Sequence, residues 1–178
     1  MKIILLYTSL ALAWSLTGFS SPERLQFTSE YSPHFLVLEI GGHILFGLVV
    51  GLFTRSIGKT ALSGLLAAAI DVDHMISIFF FPILDRAAHS IFFAILASLV
   101  LGWIAGERRR LSRDIFVLTA SAIMSHLSYD TFVGNGNFPL LAPLSFKFYN
   151  FPDWFWLPLE IAAISLTAII FRTRKVSS

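Results

Sequence analysis

The chain has 178 residues, enough for one domain, and 56% of them are hydrophobic while only 13% are charged. With a mean hydropathy of +0.75 it lies outside the usual range of soluble proteins. It contains no cysteine, which excludes disulfides and thiolate metal ligands, and its basic residues fall in short loops rather than in a surface patch suited to nucleic acid.

Six apolar segments follow one another along the chain, each close to the roughly 20 residues that cross a bilayer core. They cover approximately residues 2–19, 34–53, 60–81, 87–105, 115–133 and 155–171. We therefore predict an all-α, polytopic membrane bundle of about six transmembrane helices. Five remain if the first segment is a cleaved signal sequence, although its long apolar run and poor cleavage site favour retention.

The basic residues predict the orientation of this bundle in the membrane. One side receives ten of them: Lys2, Arg55, Lys59, Arg108, Arg109, Arg110, Arg113, Arg172, Arg174 and Lys175. The other side receives Arg24, Arg86 and Lys147. Because loops rich in lysine and arginine stay in the cytoplasm, both termini are predicted to be cytoplasmic in a multi-pass protein of the cell (inner) membrane.

Histidine and aspartate residues recur inside four of the apolar segments. They are His43, the run Asp71, Asp73 and His74, then His89, and finally His126 with Asp130. Ionisable groups are costly at bilayer depth, so they are rare there without a function. In the predicted topology all four groups lie at a similar depth toward the extracytoplasmic side, which indicates one shared polar site.

The spacing of these residues places several of them on common helix faces. His126 and Asp130 are separated by four positions, as are Glu39 and His43, and Asp71 and His74 are separated by three. Asp73 points elsewhere on an ideal helix, which leaves it as a ligand or as a partner of one. Glu39 is either a partner of His43 or a residue near the headgroups.

These motifs resemble those of the LexA-regulated inner-membrane metal-dependent hydrolase family, typified by the bacterial YdjM protein. The resemblance covers about residues 40–145 and comprises an early histidine, an Asp-x-Asp-His element, an arginine loop ending in His-Ser, a His-x-x-x-Asp-Thr element and Leu-Leu-x-Pro. Here these are His43; Asp71, Asp73 and His74; Arg86 with His89 and Ser90; His126, Asp130 and Thr131; and Leu140, Leu141 and Pro143. A histidine that is frequent in the arginine loop of the family is missing here, and Ile70 replaces a common proline.

The resemblance divides the chain into two parts. Residues 1–33 have no counterpart and form an extra N-terminal transmembrane segment or signal anchor with its loop. Residues 34–178 form a membrane-embedded, metal-dependent hydrolase-like domain. The family is itself similar to zinc phospholipase C and P1-type nucleases, which implies phosphoester hydrolysis at a His/Asp metal site.

The expected cofactor is one or two divalent ions, with zinc favoured by the mixed His/Asp donors. The proposed metal ligands are His43, Asp71, His74, His89, His126 and Asp130, with Asp71 or Asp130 bridging two ions. Asp73 is the candidate general base, and Arg86, at the outer mouth, is the candidate phosphate-binding group. A site at this depth favours a membrane lipid or a lipid-linked phosphoester as substrate, and no nucleic acid.

Two other classes of protein fit parts of the pattern. A metal-ion or proton transporter also uses intramembrane histidine and aspartate, but here they lie toward one side and no repeated halves are evident. A non-catalytic membrane scaffold leaves the polar residues unexplained. The oligomeric state and the bond that is cleaved do not follow from the sequence.

Overall fold

The structure, a computed structural model, describes residues 1–20, 33–72, 86–107 and 110–172. Its helices within these ranges are α1 (Lys2–Ser15), α2 (Pro33–Leu52), α3 (Ile57–Ala69), α4 (Ile91–Ile104), α5 (Arg113–Phe132) and α6 (Trp156–Arg172). Short 3-10 turns follow α1 at Leu16–Ser20 and precede α6 at Asp153–Phe155. The predicted all-α class is confirmed.

The prediction of six membrane-spanning helices is wrong for the described residues. One helix, Asp153–Arg172, has the length and apolar character needed to cross a membrane. Helices α1 and α4 have 14 residues each and α3 has 13, which at 1.5 Å per residue is about 20 Å, short of a core of about 30 Å. The second half of the predicted 60–81 segment lies mostly outside the described residues.

Helix α4 is shorter than predicted because it begins later than its apolar segment. The sequence predicts a span from residue 87, but residues 86–90 form turns and bends, and the helix begins only at Ile91. Ser90 is its N-cap, because the Ser90 hydroxyl accepts a hydrogen bond from the amide of Phe93 at 3.2 Å. An apolar stretch therefore includes a non-helical loop that hydropathy alone does not reveal.

Helix α1 packs into the core of the bundle against α3 and α4. Tyr7 and Ala11 are fully buried, and the Tyr7 ring lies 5.7 Å from that of Phe93. The Trp14 indole donates a hydrogen bond to the carbonyl of Ala87 at 3.1 Å.

Small residues bring α2 and α3 together. A Cβ atom at Gly47 would lie 2.7 Å from the Ser63 carbonyl oxygen, and one at Gly51 would lie 2.6 Å from the Thr60 Cα. The glycines thus permit a backbone approach that any larger residue would prevent. This close pair fixes the side of α2 that bears His43 next to the C-terminal end of α3.

Helix α5 occupies the centre of the bundle and packs against α2, α3, α4 and α6. Its start is held by the Ser112 N-cap and by an ion pair of 2.5 Å between Asp114 and Lys59 of α3. Buried side chains occur on several faces of α5, including His126 and Asp130 near its C-terminal end. Because of this central position, residues from three other elements can meet these two side chains.

The irregular stretch after α5 contains a two-residue antiparallel ladder. Its strands are β1 (Asn137–Phe138) and β2 (Tyr149–Asn150), with Asn137 opposite Asn150. Phe138 of β1 is buried, and its ring stacks on that of His89 with 6.1 Å between the ring centroids. The loop therefore covers one side of the polar cluster.

Candidate metal centre

Five of the predicted ligands lie together in the structure. His43 comes from α2, Asp71 from the turn after α3, His89 from the loop before α4, and His126 and Asp130 from α5. The three histidines and Asp130 are at most 1% exposed, whereas the side chain of Asp71 is 17% exposed. Four separate chain segments thus build one buried cluster that opens at Asp71.

The orientation of the His126 ring is set by the backbone of α3. Its Nδ1 atom lies 2.7 Å from the carbonyl oxygen of Ala67, which can only accept a hydrogen bond. The Nδ1 atom therefore carries the proton, and Nε2 presents a lone pair to the cluster. This is the arrangement by which a backbone carbonyl fixes a metal-binding imidazole. The His89 Nε2 atom lies 2.8 Å from it.

The two aspartates divide their oxygens between two sets of histidines. Asp71 Oδ1 lies 3.4 Å from His126 Nε2 and 3.7 Å from His89 Nε2, while Asp71 Oδ2 lies 3.2 Å from His43 Nε2. Asp130 Oδ2 lies 3.5 Å from both His89 Nε2 and His126 Nε2, while Asp130 Oδ1 lies 3.4 Å from His43 Nε2. Each carboxylate has the geometry of a bridging ligand.

We define two positions in the cluster from this division. The inner position is surrounded by the Nε2 atoms of His89 and His126 with Asp71 Oδ1 and Asp130 Oδ2. The outer position is bounded by His43 Nε2 with the other oxygen of each aspartate.

The separations between these atoms fit metal ligands better than direct ion pairs. The six nitrogen–oxygen distances run from 3.2 to 3.7 Å, longer than the roughly 2.7–2.9 Å of charge-assisted hydrogen bonds. In a tetrahedral site with metal–ligand bonds of about 2.0–2.1 Å, ligand atoms lie about 3.3 Å apart. The donors present therefore suit a divalent cation such as zinc.

The sequence predicted that Arg86 lies at the outer mouth of the site. In the structure it is instead buried next to Asp130. It is 4% exposed, and its Nη2 atom lies 3.2 Å from Asp130 Oδ2. Its Nη1 atom donates hydrogen bonds to the carbonyl oxygens of Asn135 at 2.7 Å and Asn137 at 3.3 Å. These contacts make Arg86 a residue that orients Asp130 and ties it to the loop after α5.

Two predicted site residues, Asp73 and His74, lie outside the described residues. The assignment of Asp73 as general base or ligand stays a prediction, and so does that of His74 as ligand.

The structure adds Glu39 as a further candidate ligand. From the sequence it was either a partner of His43 or a residue near the headgroups. One of its carboxylate oxygens, a nitrogen of His43 and an oxygen of Asp130 all lie within 4.8 Å of one another. The separation of four residues on α2 was the signal that pointed to it.

Glu160 of α6 is a buried carboxylate that the sequence analysis did not single out. It is 7% exposed and accepts a hydrogen bond from the Ser125 hydroxyl at 3.2 Å. Ser125 and Ser128 face α6 on the side of α5 away from His126 and Asp130, so Glu160 lies apart from the cluster. A lone glutamate in an apolar helix was the available signal.

Trp14 supports the loop that carries Arg86 and His89, and this leads to a prediction. Arg86 has a positive φ of 66°, so the loop needs contacts that hold this strained turn. The Trp14→Phe substitution removes the hydrogen bond to Ala87 and keeps an aromatic ring. We expect metal affinity to fall about 2- to 10-fold, the equivalent of one hydrogen bond.

The measurement is a competition titration against a chelating metal indicator on the purified protein. Trp103→Phe is the control, because Trp103 is 59% exposed on α4 and far in sequence from the loop. Equal affinities of the wild type and Trp14→Phe would show that α1 does not support the site.

Comparison with known proteins adds no identification. No family model, curated protein or solved structure matches this chain. The resemblance to the inner-membrane hydrolases therefore stays a prediction based on the motifs and is taken up below as a proposal.

Proposed function

We propose that this protein is an integral membrane hydrolase that uses one or two divalent ions, zinc in the inner position, to cleave a phosphoester bond. The observation that carries the proposal is the division of the Asp71 and Asp130 oxygens between two sets of imidazoles at ligand-like separations. The six nitrogen–oxygen distances support this proposal, whereas the His89 and His126 Nε2 atoms, 2.8 Å apart, are at hydrogen-bond distance and would have to separate to bind one ion.

The surface of the bundle supports a membrane location. Many large apolar side chains are at least half exposed, among them Val37, Leu45, Leu52, Trp103, Ile104, Ile161 and Ile169. Soluble monomers rarely expose contiguous apolar surface beyond a few hundred Å². We propose that lipid covers these faces, with the helix Asp153–Arg172 crossing the bilayer and the shorter helices embedded beside it.

A divalent ion in the cluster would supply an activated water and neutralise charge on a phosphoryl oxygen. The residues of the chain have separate tasks around it. His43, His89 and His126 offer neutral nitrogen donors, and the two aspartates offer charged oxygens from a buried position. Arg86 holds Asp130 in place through the ion pair, and burial shields the three histidines and Asp130 from bulk water, while Asp71 is partly exposed.

The substrate class follows from where the cluster lies. A cluster inside an apolar bundle is reached more easily from the membrane than from bulk water. We therefore propose a lipid or a lipid-linked phosphoester as substrate, bound at the extracytoplasmic side, where the positive-inside pattern places the loops next to the cluster.

The test is hydrolysis by the purified protein in detergent or vesicles. A panel of phospholipids and lipid phosphates should release phosphate or a phosphorylated headgroup from at least one member. A strong chelator should abolish the release, and added zinc should restore it. Elemental analysis should find at least one zinc per chain. A protein with less than about 0.2 equivalents after zinc supplementation contradicts the proposal.

The same vesicles distinguish a transporter from a hydrolase. Accumulation of zinc inside the vesicles without any hydrolysis would favour transport.

A further inference from the structure

Glu39 lies at the accessible edge of the metal cluster. It is one helical turn before His43 on α2 and is half-buried, whereas His43 is fully buried. One of its carboxylate oxygens, a His43 nitrogen and an Asp130 oxygen are mutually within 4.8 Å. His43 Nε2 and Asp130 Oδ1 are 3.4 Å apart, close to the roughly 3 Å between adjacent ligands of an octahedral ion, and Glu39 is near enough to be a third ligand after a small side-chain movement.

Buried atoms already point toward this edge. His43 Nε2 and Asp130 Oδ1 have no hydrogen-bond partner among the residues that the structure describes, and they lie 3.4 Å from each other. Buried polar atoms that make no hydrogen bond destabilise the folded state, and the effect is larger for a charged group. An ion between them and Glu39 removes that destabilisation.

The two positions differ in their donors. The inner position has two imidazole nitrogens with two carboxylate oxygens, a set that suits zinc. With Glu39 the outer position has one imidazole nitrogen, of His43, and two carboxylate oxygens, of Glu39 and Asp130, while Asp71 Oδ2 lies 3.2 Å from the same nitrogen. Oxygen-rich sets suit magnesium and manganese, which exchange more readily than zinc.

The net charge of the cluster depends on how many ions it holds. The three carboxylates of Asp71, Asp130 and Glu39, with the guanidinium of Arg86, give the described part of the cluster a net charge of minus two. One divalent ion brings this charge to zero. A second ion makes the net charge of these described residues positive, which favours binding of an anionic phosphoester.

We propose that Glu39 completes the outer position as a weaker, exchangeable site for an oxygen-preferring divalent cation, and that occupancy of this site controls binding of the phosphate. The proposal rests on the proposed metal-dependent function.

The test uses the full-length purified protein loaded with zinc and titrated with Mn²⁺, with free Mn²⁺ followed by electron paramagnetic resonance. Wild type should keep its zinc and bind about one further Mn²⁺. Glu39→Gln should keep the zinc and lose Mn²⁺ affinity by more than about 10-fold, because the amide carries no charge. Inorganic phosphate should bind the Mn²⁺-loaded wild type and bind Glu39→Gln much more weakly.

Two further variants make the result specific. Glu160→Gln removes another buried carboxylate, away from the cluster, and should bind both metals like the wild type. Glu39→Asp keeps the charge on a shorter side chain and should recover part of the Mn²⁺ affinity. Circular dichroism establishes that each variant is folded.

The possible failures are distinguishable. If Glu39→Gln binds Mn²⁺ like the wild type, Glu39 is not a ligand and the inference is overturned. If Glu39→Gln loses zinc as well, the two positions are not independent and the inference is again overturned. If the wild type binds neither metal, the proposed function itself fails.

Discussion

Asp130→Asn is expected to abolish metal binding at both positions and any hydrolysis that depends on it. Among the residues that the structure describes, Asp130 is the side chain that lies within 3.5 Å of His43, His89, His126 and Arg86 together. The loss should exceed the 10- to 100-fold typical of an outer partner of a ligand, because a charged ligand shared by both ions is removed. Elemental analysis after dialysis against a weak chelator measures it.

His126→Ala is expected to have a similar effect on the inner position, since the imidazole held by Ala67 is lost. Asp153→Asn is the control for both variants, because Asp153 is exposed in the 3-10 turn before α6. Both site variants should retain a helical circular dichroism spectrum. Metal contents equal to the wild type in both would exclude these residues as ligands.

Single cysteines placed at the two ends of the bundle are expected to react with a maleimide from opposite sides of the membrane. Each should be labelled almost completely from one side and hardly at all from the other. The native chain has no cysteine, so each label reports one position. Asn137→Cys, at an exposed position in the loop that contacts Arg86, should react with an impermeant maleimide added to intact cells. Ser56→Cys, between Arg55 and Lys59, should react only after the membrane is opened.

The reverse labelling would place the metal cluster at the cytoplasmic side. The substrate would then be expected to approach from the cytoplasm, and the metal-binding predictions would be unaffected. Labelling of both positions in intact cells would contradict a membrane barrier between the two ends of the bundle.

Much of the His/Asp cluster was predictable from local spacing. His126 and Asp130 share a helix face at any tertiary arrangement, because four residues make just over one helical turn. The high cost of burying His43, Asp71 and His89 in apolar segments also predicted that they would meet.

The spans were predicted less well, because hydropathy reports composition rather than the start of a helix. Residues 87–90 fall inside the predicted apolar segment 87–105, yet with Arg86 they form the turn that places Arg86 and His89. Arg86, which has a left-handed backbone, donates a hydrogen bond to the Asn135 carbonyl, and Trp14 donates one to the carbonyl of the adjacent Ala87; Asn135 and Trp14 are both distant in sequence. No window of the sequence contains those contacts.

The sequence by itself determined the all-α class, the apolar character of the bundle and the residue types that form the cluster. Only the tertiary structure decided which oxygen of each aspartate faces which histidine, that Arg86 holds Asp130, and that Glu39 borders the outer position. The reason is physical. Residue type and helical period act within one segment, whereas ligand geometry depends on how α2, α3, α5 and the loop before α4 pack against one another.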